Sequence, residues 1–153
     1  MCPDWVGQVA GGSQSAFDGT VEAYRQALVP FLTGDPKPVM EFYSNSDDVT
    51  LANPLGPPCR GPAEVHKAIA EAAAQISDGS IRFEEVSRYC TPYLGYVVQI
   101  ERAQARLSVS GDISPIALRV TMIFRREGNT WRVVHRHADP IMTPRPATTV
   151  IET

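Results

Sequence analysis

Apolar positions repeat with one period in the first half of the chain and with another in the second. Phe17, Val21, Tyr24, Leu28 and Phe31 recur at helical spacing, so one face of a first helix is expected to be buried. The pattern fades at Thr33-Gly34. Asp35-Pro36 then reads as a cap followed by a proline at the first helical position, opening a short second helix that reaches Tyr43. "DDVTLANP", residues 47–54, predicts a short strand closed by Pro54, and "LGPPCRG" predicts a loop because its prolines and glycines break either regular structure. In "PAEVHKAIAEAAAQI", Pro62 to Ile76, the stripe Val65, Ile69, Ala72 and Ile76 on an Ala-rich background predicts a third helix. After "SDG" the pattern becomes that of strands, at Ser80 to Thr91, Tyr93 to Leu107 and Ile116 to Arg126. "REGNT" supplies a turn, and Trp131 to Ala138 is the last strand.

Helices early and strands late predict an α+β fold, with the helices packed on one face of a mostly antiparallel sheet. Residues 1–14 are rich in Gly and Ser with little periodicity, and the tail "MTPRPATTVIET" is rich in Pro and Thr. Both are expected to be arms, residues 1–14 and 142–153, flanking one domain at 15–141. A length of 153 residues with 43% hydrophobic content suits a single core.

Charge and cysteine content narrow the function classes. With 14 basic and 17 acidic residues the formal charge is −3, so nothing marks a surface for phosphate backbones, and nucleic acid is not an expected partner. No apolar run approaches the roughly 20 residues that span a bilayer, and a soluble, cytoplasmic protein is expected. Cys2, Cys59 and Cys90 form no CxxC pair, so reduced structural thiols are expected rather than a disulfide framework or a zinc knuckle.

The candidate chemistry centres on "WRVVHRHADP", residues 131–140. Alternate residues of a strand share a face, so His135, His137 and Asp139 could converge on one ion. The HxHxD run superficially resembles the ligand run of metallo-β-lactamases, but Pro140 stands where that run continues with a histidine and the chain is too short for that fold. No metal is expected. The bland alternative packs Trp131, Val133 and the histidines on one face and leaves Arg132 and Arg136 solvated.

Glu101, in "VVQIERAQARL", lies in an apolar strand where burial raises a carboxyl pKa, which makes it a candidate general base; its alternative is a surface salt bridge with Arg102, Arg106 or Arg119. On the penultimate strand Leu118, Val120, Met122 and Phe124 share one face and Arg119, Thr121 and Ile123 the other. Either face is open to point inward.

"TWRVVHRHADP" after "VTMIFRREGN", with "GPAEVHKAI" and "DDVTLANPLG" upstream, resembles the NTF2-like superfamily, and within it the SnoaL-like and kinase-association-domain-like branches. The resemblance runs from about Phe17 to Pro140. It implies a cone-shaped α+β barrel: a strongly curved sheet around three N-terminal helices, enclosing an apolar pocket, with dimers formed through the outer face of the sheet. It also implies that His66, on the third helix, lies near the pocket, as in kinase association domains, whose pockets bind carboxylates through arginines.

"EAYRQAL" and "VTLANPLG" resemble ketosteroid isomerases, whose chemistry needs a carboxylate base and acidic hydrogen-bond donors. Tyr24 matches the tyrosine donor of that family. Asn53 stands where the catalytic aspartate belongs, and "IALRVTMIFRR" carries no acid, Thr121 being its nearest polar residue. The usual mechanism of that family is therefore not expected.

Two expectations remain. One is a lyase or isomerase needing no metal or organic cofactor, working by general acid/base catalysis through His135 or His137, Glu101 and Tyr24. The other is a non-catalytic module binding a small carboxylate or an apolar metabolite, with Asn53, His66, Arg119 and Thr121 as ligand contacts. In both, the partners are a small molecule and a second copy of the chain.

Overall fold

The computed structural model describes residues 10–153, with side chains from Gln14 onward. Helix α1 (Ala10–Phe31) is followed by the short α2 (Lys37–Met40), the strand pair β1 (Thr50–Ala52) and β2 (Cys59–Arg60), and helix α3 (Pro62–Ala73). Four strands then run to the end of the domain: β3 (Ile76–Cys90), β4 (Leu94–Leu107), β5 (Ile113–Glu127) and β6 (Thr130–Asp139). This is the expected α+β order. It differs in detail: α1 begins inside the segment read as an arm, α2 stops short of Tyr43, β2 lies in the expected loop, and the tail holds a 3₁₀ turn at Ala147–Val150.

Local chemistry sets the joints. Gly34, at φ 95°, adopts the left-handed conformation that ends α1, and its N–H donates to the Phe31 carbonyl at 3.1 Å. Gly61, at φ 93°, precedes Pro62 at the start of α3, and its N–H donates to the Val49 carbonyl at 2.8 Å, tying the helix to the strand before it.

The strands form one sheet in the order β2-β1-β6-β5-β4-β3. Every neighbouring pair is antiparallel except β1 with β6, which run parallel. α1 lies against the concave face. Phe17 packs edge-on to Trp131 and Phe124, with ring centroids 5.1 and 5.4 Å apart. Gly95 permits this, because a Cβ there would stand 2.5 Å from the Phe17 ring.

Register shifts at Ser77/Ser80 and Glu85/Ser87 on β3, and a further one between β5 and β6, bend the strands. At that third shift Phe124 pairs with Val133 but Ile123 pairs with His135, so Val134 is an extra residue. Before the bulge Trp131 and Val133 are buried; after it Arg136 and Ala138 are. The expectation that Arg136 is solvated is therefore corrected. A strand read as a simple alternation from Trp131 assigns its second half to the wrong face.

The thiol expectation is corrected as well: Cys90 is disulfide-bonded, whereas Cys59 is free. No helix among the described residues is long and apolar enough to cross a membrane.

Candidate functional site

Between the helices and the concave face of the sheet lies a cavity of about 360 Å³. Its walls are mainly apolar, with Leu28 and Phe31 from α1, Val39 from α2, Ile69 from α3 and Leu118 from β5 among them. Leu55, 63% exposed, and Val109, 88% exposed, belong to the same lining and mark its solvent side. At the buried end stand Tyr24, Tyr43 and Arg136.

Two hydrogen-bonded sets meet there, one of the tyrosines and one that begins at Arg136. The Tyr24 and Tyr43 hydroxyls lie 2.9 Å apart. Arg136 donates to both carboxylate oxygens of Glu101, from Nη1 to Oε2 at 2.9 Å and from Nη2 to Oε1 at 2.7 Å. Gln99 Nε2 donates to Glu101 Oε2 at 2.9 Å, and Gln99 Oε1 accepts from Arg25 Nε at 3.0 Å and Nη2 at 2.7 Å. Arg25 continues to Glu85 and Glu22, both at 2.9 Å. A polar path thus leads from the surface of α1 and β3 to the inner end of the cavity.

Burial sets the protonation states. It raises the pKa of Tyr24 and, with Tyr24 beside it, holds that of Tyr43 well above the phenolic range, so both hydroxyls keep their protons at neutral pH. Two hydroxyls sharing one hydrogen bond use one proton between them. The other proton remains available to a ligand. Burial also pushes the Glu101 carboxyl up, but the charge and hydrogen bonds of Arg136, with the Gln99 amide, outweigh it and hold the carboxyl below its ordinary range. The expected base with a raised pKa is therefore corrected. Glu101 is an ionised counterion, and it pairs in the interior with Arg136 rather than at the surface with Arg102, Arg106 or Arg119.

The remaining predicted residues divide. Tyr24 and Asn53 line the cavity, although the Asn53 carbonyl accepts from the Leu55 N–H at 3.0 Å and so closes a turn at the rim. His135 and His137 do not line it. The bulge leaves them on the outer face, where His135 Nδ1 lies 2.7 Å from Thr50 Oγ1 and His137 Nε2 lies 3.4 Å from Asp139 Oδ2. Burial and then the neighbouring His137 lower the His135 pKa.

Arg119 is also outside, donating to Asp139 Oδ1 at 2.6 Å, and Thr121 pairs in register with His137. Both stand opposite in parity to Val120 and Met122, which fill the core. His66 is half-buried on α3 and does not line the cavity; its Nε2 has no hydrogen-bond partner among the described residues. Of the ligand contacts expected at Asn53, His66, Arg119 and Thr121, only Asn53 lines the cavity, and neither strand histidine joins it there. No three His, Cys, Asp or Glu side chains among the described residues are placed to hold a metal ion.

Sequence reasoning missed Tyr43, Gln99 and Arg136. One signal was present: β4 carries Gln99 and Glu101 in line with Val97, Ala103 and Ala105, all buried. A carboxylate in such a stripe requires a buried cation, and β6 supplies it.

The sequence model of the SnoaL-like domain matches residues 20–143. No curated protein matches the sequence significantly. Among solved structures, an NTF2-like superfamily protein from Salmonella enterica serovar Typhimurium superposes with a TM-score of 0.75 at 13% identity, covering 88% of this chain and 97% of that one. A ketosteroid isomerase-like protein from Erwinia carotovora atroseptica gives 0.72 at 16%, covering 84% and 96%. A hexachlorocyclohexane dehydrochlorinase, LinA type 2, gives 0.69 at 11%, covering 88% and 93%. At such identities the likeness is one of fold, the curved-sheet cone of the NTF2-like superfamily. The family match over most of the chain, together with this fold and its enclosed pocket, places the chain in the SnoaL-like domain family.

Proposed function

We propose that this domain binds a small, largely apolar molecule in its cavity and orients it by a single oxygen, held by Tyr24, Tyr43 and Arg136. One observation carries the reading. Two protonated tyrosines and an arginine meet at the inner end of an apolar cavity whose described lining includes no Asp, Glu or His. Such a site offers hydrogen-bond donors without a proton acceptor, which suits retention of a ligand rather than proton transfer.

The competing reading is a lyase or isomerase. Tyr24 favours it, as a neutral donor at the end of an apolar pocket, and it also draws on the fold shared with a dehydrochlorinase and an isomerase-like protein. It requires a base within reach of the ligand. Glu101 has both oxygens engaged by Arg136, and the strand histidines lie on the other face.

A panel of bicyclic aromatic ketones and phenols, titrated by calorimetry, tests the proposal. Members that fill the cavity are expected to bind and to raise the melting temperature, since a ligand at 100 times its Kd stabilises by about 2.7 kcal/mol. Tyr24→Phe and Tyr43→Phe are each expected to weaken binding by about 0.5–1.5 kcal/mol, the contribution of one neutral hydrogen bond. Turnover of a β,γ-unsaturated ketone to its conjugated isomer, abolished in Tyr24→Phe, would instead establish the catalytic reading.

A further inference from the structure

We propose that Glu101 determines which oxygen the pocket accepts: by cancelling the charge of Arg136 it makes the cavity select a neutral hydrogen-bond acceptor, such as a ketone, and reject a carboxylate. This inference rests on the ligand-binding reading above and names the ligand class for that site.

Arg136 is the only charged side chain in the described lining of the cavity. An unpaired guanidinium there would make the pocket an anion site. It is not unpaired: both terminal nitrogens donate to the two oxygens of Glu101, in the bidentate geometry that is strongest for this pair. Both side chains are deeply buried, at 10% and 5% exposure.

The arrangement is locked from behind. The Gln99 carbonyl faces two Arg25 N–H groups and its amide faces Glu101, and turning the amide over would set N–H against N–H and carbonyl against carboxylate. Arg25 adds no free charge, because Glu22 and Glu85 answer it near the surface.

A ligand carboxylate at Tyr24 and Arg136 would put a second anion beside Glu101 with one cation between them, out of water. Like charges so placed repel strongly, and the incoming anion would also lose its hydration. A ketone oxygen adds no charge. It accepts the spare tyrosine proton and a guanidinium N–H that does not point at Glu101, since a guanidinium carries five such donors. The tyrosines serve either ligand; Glu101 discriminates between them.

The test uses two probes of nearly equal shape, 2-acetonaphthone and 2-naphthoate, titrated at pH 7.5 into the wild type and Glu101→Gln. The wild type is expected to bind the ketone at least about tenfold more tightly, a difference of roughly 1.4 kcal/mol. In Glu101→Gln the preference is expected to reverse, with naphthoate gaining at least about tenfold and its affinity falling as salt is added. The double variant Glu101→Gln/Arg136→Gln, neutral again, is expected to keep the ketone preference.

Equal binding of both probes to the wild type, or an unchanged ratio in Glu101→Gln, overturns the selection by Glu101 while leaving the ligand-binding reading intact. Binding of neither probe to the wild type overturns that reading as well. Should near-UV circular dichroism show that Glu101→Gln is unfolded, the wild-type ratio and the double variant still decide the matter.

Discussion

Two ion pairs of the same chemistry lie on opposite faces of the sheet. On the outer face Arg119 of β5 meets Asp139 of β6 at 2.6 Å, with the arginine 54% exposed. On the inner face Arg136 of β6 meets Glu101 of β4 at 2.7 Å, almost wholly removed from water. Their shortest distances are nearly equal. Their consequences are not, because water screens the first pair and competes for its hydrogen bonds, whereas the second is shielded from water and has only protein partners. An exposed pair contributes about 0–1 kcal/mol, whereas removing one member of a buried pair costs about 3–5 kcal/mol by stranding the other charge. The contrast separates the surface of this protein from its site more sharply than residue type does.

The largest effect is expected from deleting Val134 together with His135, one residue more than the bulge. Arg136 would then take the place opposite Ile123 and face outward, His137 would turn toward the core, and Glu101 would be left buried without its cation. Loss of the cooperative thermal transition and of near-UV ellipticity is the expected result. Deleting Val134 alone keeps His135 opposite Ile123 and Arg136 opposite Met122, so that variant should retain the fold; equal losses in the two variants would show that the facing of the strand is not what decides.

Next in size is the comparison of the pairs themselves. Arg136→Ala is expected to destabilise by about 3–5 kcal/mol in urea unfolding, and Arg119→Ala by less than about 1 kcal/mol. The double replacement Glu101→Leu/Arg136→Leu should recover most of the loss, since two apolar side chains strand no charge. Equal effects of the two single variants would remove the distinction between the faces.

Acid should divide the faces in the same sense. Burial raises the Glu101 pKa and Arg136 more than reverses it, so the folded value lies below the ordinary 4.5. The unfolded chain therefore takes up this proton first as pH falls. The contribution of Glu101 is complete above about pH 4.5 and disappears as pH drops through the folded-state value. Urea midpoints between pH 6 and 3 are expected to fall more steeply for the wild type than for the Glu101→Gln/Arg136→Gln variant.

The smallest effects belong to the outer histidines. His135→Ala and His137→Ala are each expected to change stability by within about 0.5 kcal/mol and to leave the affinity of a cavity ligand unaltered. The folded His135 pKa lies below 6.5, so the folded state resists its protonation and the wild type should lose a little stability as pH falls below 6.5. His135→Ala should lack that component. A tenfold loss of ligand affinity in either variant would return the histidines to the pocket.

Much of the architecture was legible. The stripe from Phe17 to Phe31 and the Ala-rich run after Pro62 mark helices because each buries one continuous face. The alternation on β4 and β5 marks strands because one face is core. The site was less legible. Tyr24 and Asn53 were found through resemblance, and both line the cavity. Tyr43 lay hidden at the end of the second helical segment. Arg136 looked like the solvated neighbour of two interesting histidines.

The sequence by itself determined the periodicities, and with them the α+β order, the apolar inner surface of the sheet and membership of a pocket-forming family. These follow from local spacing, since the period of apolar residues selects the element that can bury them. Only the tertiary structure decided which polar groups enter the pocket. One extra residue at Val134 exchanges the two faces of β6, and a buried carboxylate on β4 has meaning only beside the cation that the neighbouring elements bring to it. Side-chain facing beyond a bulge and charge pairing across a sheet are non-local, and no run of neighbouring letters records them.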